Sequence, residues 1–206
     1  LTETNDIDLE ALRAGDEQAF RQLIQQYHAT LIAVVRPLVG EAQCEEVVQE
    51  AWLKIHRACG DFEGRSQLKT WLCSIALNEA RMMLRRHKRE TSLTVKTNPG
   101  SEAVDDDFEG RFNASGTWSS PPTDWGSDSP DDLLMQDNLL DCLKKHLSAL
   151  PANQASLVQL RDIEGLPFDR ICNDLEISAS NARVLLHRAR GALYRMLESY
   201  KETGEC

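Results

Sequence analysis

Aromatic residues make up only 6% of this 206-residue chain, and no apolar run is long enough to span a bilayer. The first residues show no basic stretch followed by an apolar one. No secretory leader is therefore expected, and the protein is expected to stay in the cytoplasm. None of the six cysteines, at 44, 59, 73, 142, 172 and 206, is spaced from another as C-x-x-C. They scatter through predicted helices and one tail, unlike a zinc ribbon or a disulfide framework, and they suit a reducing compartment. A glycine-rich phosphate loop, a nucleophile and a close histidine pair are also missing. Nothing completes an active site around the acidic residues, so no enzyme activity, cofactor or small-molecule substrate is expected.

What is present is charge and helical periodicity. Charged residues reach 27%, and Leu, Ala, Arg and Glu are frequent, as in a helical protein. The net charge of −10 argues at first sight against nucleic-acid binding. The charges are segregated, however. Arg81, Arg85, Arg86, Lys88 and Arg89 form one basic run, and Arg183, Arg188, Arg190 and Arg195 form another. The acids gather at the N-terminus, around Glu45–Glu50, and between Glu102 and Asp132.

The periodicity predicts a short helical start at Asp8–Ala14 and a longer helix capped by Asp16, ended or kinked by Pro37 and Gly40. A helix over Cys44–Ala58 follows, then a loop containing Phe62, then a helix from about Ser66 to Arg89. From Thr91 to Asp132 the apolar period disappears into Gly, Ser, Pro, Asn and Asp, which reads as an acidic disordered linker. A helix over about Leu133–Ser148 opens a second domain. Pro151 starts the next helix, which ends near Gly165. Pro167–Leu175, a tight turn at Glu176–Ser178 and a basic helix from Ala179 to Tyr200 describe a helix-turn-helix. The fold class is all-α, in two small helical domains: 1–90, and 133–206 after the linker at 91–132.

Three clusters are candidates for function. The cations at the end of the third helix suit several phosphates, or equally a solvated helix end favoured by the dipole. Trp71 and Asn78 lie upstream on a compatible face. An aromatic ring stacks on an unpaired base and an amide reads a base edge, although a Trp in a small bundle is more often core. The carboxylates Glu45, Glu46 and Glu50 read as a solvated helix face. In the last helix Ser178, Ser180, Asn181, Arg183 and His187 occupy the N-terminal positions that enter a major groove, with Arg188 and Arg190 placed for phosphates. Cys142 and His146, four apart on one helical face, have a spacing that can bind a metal, but two ligands do not make a site, and no metal is expected.

Two blocks carry a family resemblance. One is Cys44-Glu45-Glu46-Val47-Val48-Gln49-Glu50-Ala51-Trp52-Leu53-Lys54, with Phe62-Glu63-Gly64 and Leu68 through Asn78. The other runs from Leu150-Pro151 through Gly165-Leu166-Pro167-Phe168 to Ala182 through Arg190. In this order and with this gap the chain resembles a bacterial sigma factor of the extracytoplasmic-function group, over roughly residues 15–90 and 133–198. The resemblance implies that the protein supplies core RNA polymerase with promoter recognition. It implies that Val48, Gln49, Glu50, Trp52 and Leu53 dock on the β′ clamp helices, and that the second domain reaches the β flap. It implies that Phe62, Lys69, Trp71, Asn78, Arg81 and Arg85 open and hold the −10 element of promoter DNA. Ser178, Ser180, Asn181, Arg183, His187, Arg188 and Arg190 then read the −35 element. The linker, with Phe108, Phe112, Trp118 and Trp125, follows the polymerase cleft, and an anti-sigma factor is a possible partner. Val184 and Leu185 depart from the family pattern, which often has polar groups there. One of the two is expected in the core, the other against a thymine methyl or a partner. The rival is a dimeric helix-turn-helix regulator of duplex DNA that acts without polymerase.

Overall fold

The computed structural model describes residues 7–90, 137–203 and 206, which are helical apart from their connections. The expected linker at 91–132 lies outside the described residues. Residues 7–90 pack with 164–175 as one compact unit, and 137–163 pack with 176–203 and 206 as the other.

In the first unit, α1 is Leu9–Arg13, α2 Glu17–Val39, α3 Glu41–Ala58 and α4 Leu68–Glu90, with a 3₁₀ turn at Cys59–Asp61. The expected cap at Asp16 is in place, and Asp8 caps α1 as well. Asp8 accepts from the N–H groups of Glu10 and Ala11 at 2.9 and 3.0 Å. Asp16 accepts from that of Ala19 at 2.7 Å. Each satisfies helix-start donors that would otherwise lack a partner. Pro37 lies inside α2 and does not end it. The helix stops at Gly40, whose φ of 80° is a left-handed conformation that glycine adopts freely. α3 begins at once, a turn earlier than Cys44, with Glu41 in its first turn and paired to Arg36 at 2.7 Å.

α2, α3 and α4 pack against one another in all three combinations. Their shared core includes Leu23, Leu31, Val34, Val35, Val48, Ile55, Leu72 and Leu77, none of them exposed to solvent. At about 1.5–3 kcal/mol for each large aliphatic side chain removed from water, this core is the main source of the bundle's stability. α1 packs on α2 and on the 3₁₀ turn, and Arg13 Nε donates to the Phe62 carbonyl at 2.8 Å.

Within the second unit, α5 is Asp137–Ala149 and α6 is Ala152–Val158, continued by a π turn at Gln159–Ile163. The long α8 is Ala179–Thr203. Pro151 stands at the N-cap of α6, one residue before the helix proper. α6 packs on α8, and α5 packs on the far end of α8. There Leu139, Cys142, Met196 and Tyr200 form a buried cluster flanked by Leu143 and Leu197. The short α7, Phe168–Leu175, belongs to the first unit and packs on α4. Glu176, with φ 55°, makes the turn between α7 and α8, so the expected succession of short helix, turn and long helix is present.

One expectation is corrected. The cysteines were read as unlike a disulfide framework, but Cys142 and Cys206 are joined, with Cα atoms 5.4 Å apart. Their separation of 64 residues carries no local signal. The pairing arises because α5 lies against the last turns of α8. Cys44, Cys59, Cys73 and Cys172 are buried and take no part in a disulfide.

Leu72→Ala should lower the stability of the first unit by about 2–5 kcal/mol, since it leaves a cavity at a fully buried position. Urea unfolding followed by circular dichroism measures the loss. A change below ~1 kcal/mol would contradict the packing described.

Candidate nucleic-acid interface

α4 carries the first group of candidate residues. Between Thr70 and Ala80 it is enclosed almost all round, and Asn78 is the one exposed residue. The helical period therefore aims the Asn78 amide at solvent, with half-buried Arg81 one turn on and exposed Arg85 one turn further. Arg81 donates to the Asp174 carbonyl at 2.9 Å. Its pKa is lowered, first by partial burial and then by the neighbouring Arg85, with Asp174 opposing. It remains a cation at any physiological pH. Lys69 donates to the Glu164 carbonyl at 3.0 Å and pairs with its carboxylate at 2.6 Å. Between them the Ser74 hydroxyl lies 2.6 Å from an Asp174 carboxylate oxygen and accepts from Arg170 Nε at 2.8 Å. Lys69 and Arg81 are thus both held within the first unit by residues 164–174.

Phe62 and Trp71 meet with ring centroids 4.9 Å apart and planes tilted by 43°. Phe62 is only 6% exposed, so it is a packing residue beneath Trp71 rather than a ring offered to DNA. Trp71 is half-buried.

The α3 candidates divide in the same way. Val48 is fully buried and Trp52 is 7% exposed. Trp52 Nε1 donates to His28 Nδ1 at 3.2 Å, and its indole packs edge-on to Phe20 with centroids 5.9 Å apart. These two residues build the helix's inner face. Gln49 and Glu50 are exposed, as is Leu53 at 53%.

At the start of α8 the Ser178 hydroxyl accepts from the Asn181 N–H at 3.2 Å and lies 3.1 Å from the Ser180 hydroxyl. Ser178 is therefore an N-cap. Ser180, Asn181 and Arg183 are exposed, and His187 is half-buried. Arg190 was expected at phosphates. Instead its Nε and Nη2 donate to the two carboxylate oxygens of Asp162 at 2.9 and 2.5 Å. This two-point pair ties α8 to the π turn. Arg188 is half-buried, and its Nε is buried with no hydrogen bond. Leu186 fills the core, Leu185 is half-buried, and Val184 is 48% exposed, so of the two departures Leu185 turns inward and Val184 outward.

Sequence reasoning missed Glu79, which is buried and bonded to Lys54, and Asp162 opposite Arg190. Both partnerships join different helices, which periodicity along a single helix does not register.

Residues 23–90 match the family model for Sigma-70 region 2, and 140–193 match that for Sigma-70, region 4. Together these cover more than half of the chain. The chain is 27% identical over 190 residues to the ECF RNA polymerase sigma-E factor of Escherichia coli K12, covering 92% of each. It is 28% identical over 203 residues to the RNA polymerase sigma-H factor of Pseudomonas aeruginosa, covering 96% of each. Among solved structures it is similar in fold to the sigma factor RpoE in complex with the anti-sigma factor NepR from Bartonella quintana. The TM-score is 0.55 at 22% identity, over 88% of this chain and 98% of that one. It is also similar in fold to CnrH in complex with the cytosolic domain of CnrY. The TM-score there is 0.51 at 18% identity, over 93% and 95%.

Burial raises the thiol of Cys59 to about 11. It raises that of Cys73 to about 12, with Glu164 adding to the effect. Both thiols should therefore resist iodoacetamide at pH 8 in the folded protein and react once urea exposes them. Because the folded values lie above the ordinary 9.0, their contribution to stability is complete below pH 9. It should be lost as pH rises towards 11–12. Mass spectrometry of the alkylated peptides checks the first point, and rapid folded-state labelling at pH 8 would contradict it.

Proposed function

The chain belongs to the sigma-70 family, in its extracytoplasmic-function group, and on that premise we propose which residues carry each part of its work. It is a transcription initiation factor that binds core RNA polymerase and directs promoter-specific initiation, not an enzyme. The observation that carries this function is the order of region 2 and then region 4 on one chain, each matched over a helical block. The rival, a dimeric regulator working without polymerase, leaves region 2 without a use.

We assign polymerase docking to the outer face of α3, with Gln49, Glu50 and Leu53 as contacts and Val48 and Trp52 as the packing that presents them. We assign the −10 element to residues 15–90. There Asn78, exposed on an otherwise enclosed stretch, reads an unpaired base, Trp71 stacks, and Lys69, Arg81 and Arg85 meet phosphates. Phe62 supports Trp71 from below. Engagement of Lys69 and Arg81 by DNA requires exchange of their bonds to Glu164 and Asp174 for phosphate contacts. We assign the −35 element to residues 133–198. Asn181 and Arg183 act as base readers, Ser180, His187 and Arg188 as flanking polar contacts, and exposed Val184 as a partner for a thymine methyl. Ser178 and Arg190 contribute by capping and bracing α8.

Residues 91–132 serve as the tether between the two domains. An anti-sigma factor is the expected antagonist, as similar folds have been solved with such partners. No helix among the described residues is long and apolar enough to cross a membrane. The place of action is the cytoplasm, where the polymerase works.

Gln49→Ala combined with Glu50→Lys alters only exposed side chains, so the fold should survive by circular dichroism. Affinity for core polymerase should fall about tenfold or more, the ~1.4 kcal/mol of one good interface contact. Wild-type affinity in pull-down would remove α3 from the docking surface. Failure of the wild-type chain both to bind core polymerase and to support run-off transcription would favour the rival.

Asn78→Ala should impair promoter opening more than initial duplex binding. Arg183→Ala should weaken closed-complex formation by about 1–3 kcal/mol if it makes a two-point base contact. Permanganate footprints on duplex and pre-melted templates separate the two steps. Rescue of Arg183→Ala, rather than Asn78→Ala, by a pre-melted −10 template would reverse the assignment.

A further inference from the structure

The base of the second unit holds a group of side chains that promoter recognition does not use. Cys142 and His146 are one helical turn apart on α5, and Cys206 is brought against them from beyond the end of α8. One sulfur from each cysteine and one imidazole nitrogen of His146 lie within 4.8 Å of one another. Cys142 is buried in the cluster between α5 and α8, His146 is half-buried, and Cys206 is exposed. The group therefore has an inner wall and a side open to solvent.

We propose that Cys142, His146 and Cys206 are the three protein ligands of a zinc-class divalent metal site, available when the two thiols are reduced and closed when they are joined as a disulfide. The donor set is one that zinc-class ions favour, two thiolates and an imidazole. Tetrahedral coordination with metal–sulfur bonds of ~2.3 Å and metal–nitrogen bonds of ~2.0–2.1 Å places the three donor atoms roughly 3.5–3.8 Å apart. That fits the observed span without rearrangement of α5. Three protein ligands leave the fourth position to water on the exposed side.

The two states exclude each other, because a metal takes the thiolate form of cysteine and a disulfide sulfur has none to offer. Interconversion is a thiol–disulfide exchange with a low-molecular-weight disulfide such as oxidised glutathione. The accessible Cys206 thiolate attacks the oxidant, breaking its S–S bond and releasing one thiolate, and leaves a mixed disulfide. The Cys142 thiolate then attacks the Cys206 sulfur, forms the intramolecular S–S bond and releases the second thiolate. Two electrons pass from the protein thiols to the oxidant's two sulfurs, which take up the two protons. A bound metal competes with this step by occupying both thiolates. Either state fastens residue 206 to α5. The cation and the oxidant are thus alternative ways to secure the end of the unit that carries the −35 residues.

The test uses the full chain and Co²⁺ as a spectroscopic stand-in for Zn²⁺. The reduced chain should bind one equivalent, with a thiolate-to-cobalt charge-transfer band and the visible spectrum of a tetrahedral ion, and Zn²⁺ should displace it. Oxidation with glutathione disulfide should give the Cys142–Cys206 peptide by mass spectrometry and abolish the band. Partners that merely orient metal ligands already carry ~10–100-fold in affinity. Cys206→Ser, at an exposed position, and His146→Ala should therefore each weaken binding by at least that, with circular dichroism unchanged. Four results would overturn the proposal. These are no charge-transfer band in the reduced chain, an unaltered band in the Cys142→Ser/Cys206→Ser double variant, unaltered affinity in His146→Ala, or no Cys142–Cys206 bond on oxidation.

Discussion

The enclosure of α4 is the constraint on which the first unit depends. α2 and α3 pack on it, and the short α7 covers a further part. Leu72, Cys73, Ala76, Leu77 and Ala80 are wholly buried. Small residues at 76 and 80 let neighbouring backbones approach, and the result is a helix with little freedom to rotate. A rotation that exposed Leu77 would also bury Asn78, at a cost in both apolar exposure and amide desolvation. The core thus fixes which single amide in this stretch meets solvent, and the two arginines that follow are placed by the same period.

Enclosure on that scale brings polar groups inside, and two of them are held by residues of other helices. Glu79 is buried with Lys54 beside it, and Ser74 is engaged by Asp174 and Arg170. Lys54 reaches solvent while Glu79 does not, so the pair adds little net stability, but loss of Lys54 is costly because it leaves the Glu79 carboxylate buried and uncompensated. Glu79 and Lys54 therefore act chiefly to fix how α3 and α4 sit together. In doing so they align the face with Gln49, Glu50 and Leu53 relative to the face with Asn78. Negative net charge is compatible with nucleic-acid binding here because cations such as Arg85 and Arg183 stand on exposed surfaces.

Much of this was legible along the chain. Asp16 announces its helix because an N-cap is a local interaction, and the helical starts and stops follow within about a turn. Gly40 ends α2 where Pro37 does not, since a left-handed residue halts the backbone whereas proline near a helix's last turn costs only one bond. The docking, −10 and −35 candidates rest on residue type and family position, and type does not reveal burial. Val48, Trp52 and Phe62 lie inside because tertiary packing decides which side of a helix or loop is covered. Arg190 is committed to Asp162, and Cys142 to Cys206, through contacts between helices far apart in sequence. No periodicity or spacing rule reaches such pairs.

The bond between Cys142 and Cys206 also changes what a cut in the chain means. It closes a ring of covalent structure that contains most of α5, all of α6, α7 and α8, and the turns between them. While the bond stands, a protease that severs any single peptide link between 143 and 205 produces two backbone ends but no separate fragment. The nicked halves stay tethered and can re-pair without having to find each other by diffusion. A second cut, or a reductant, is needed before any piece of this region is released.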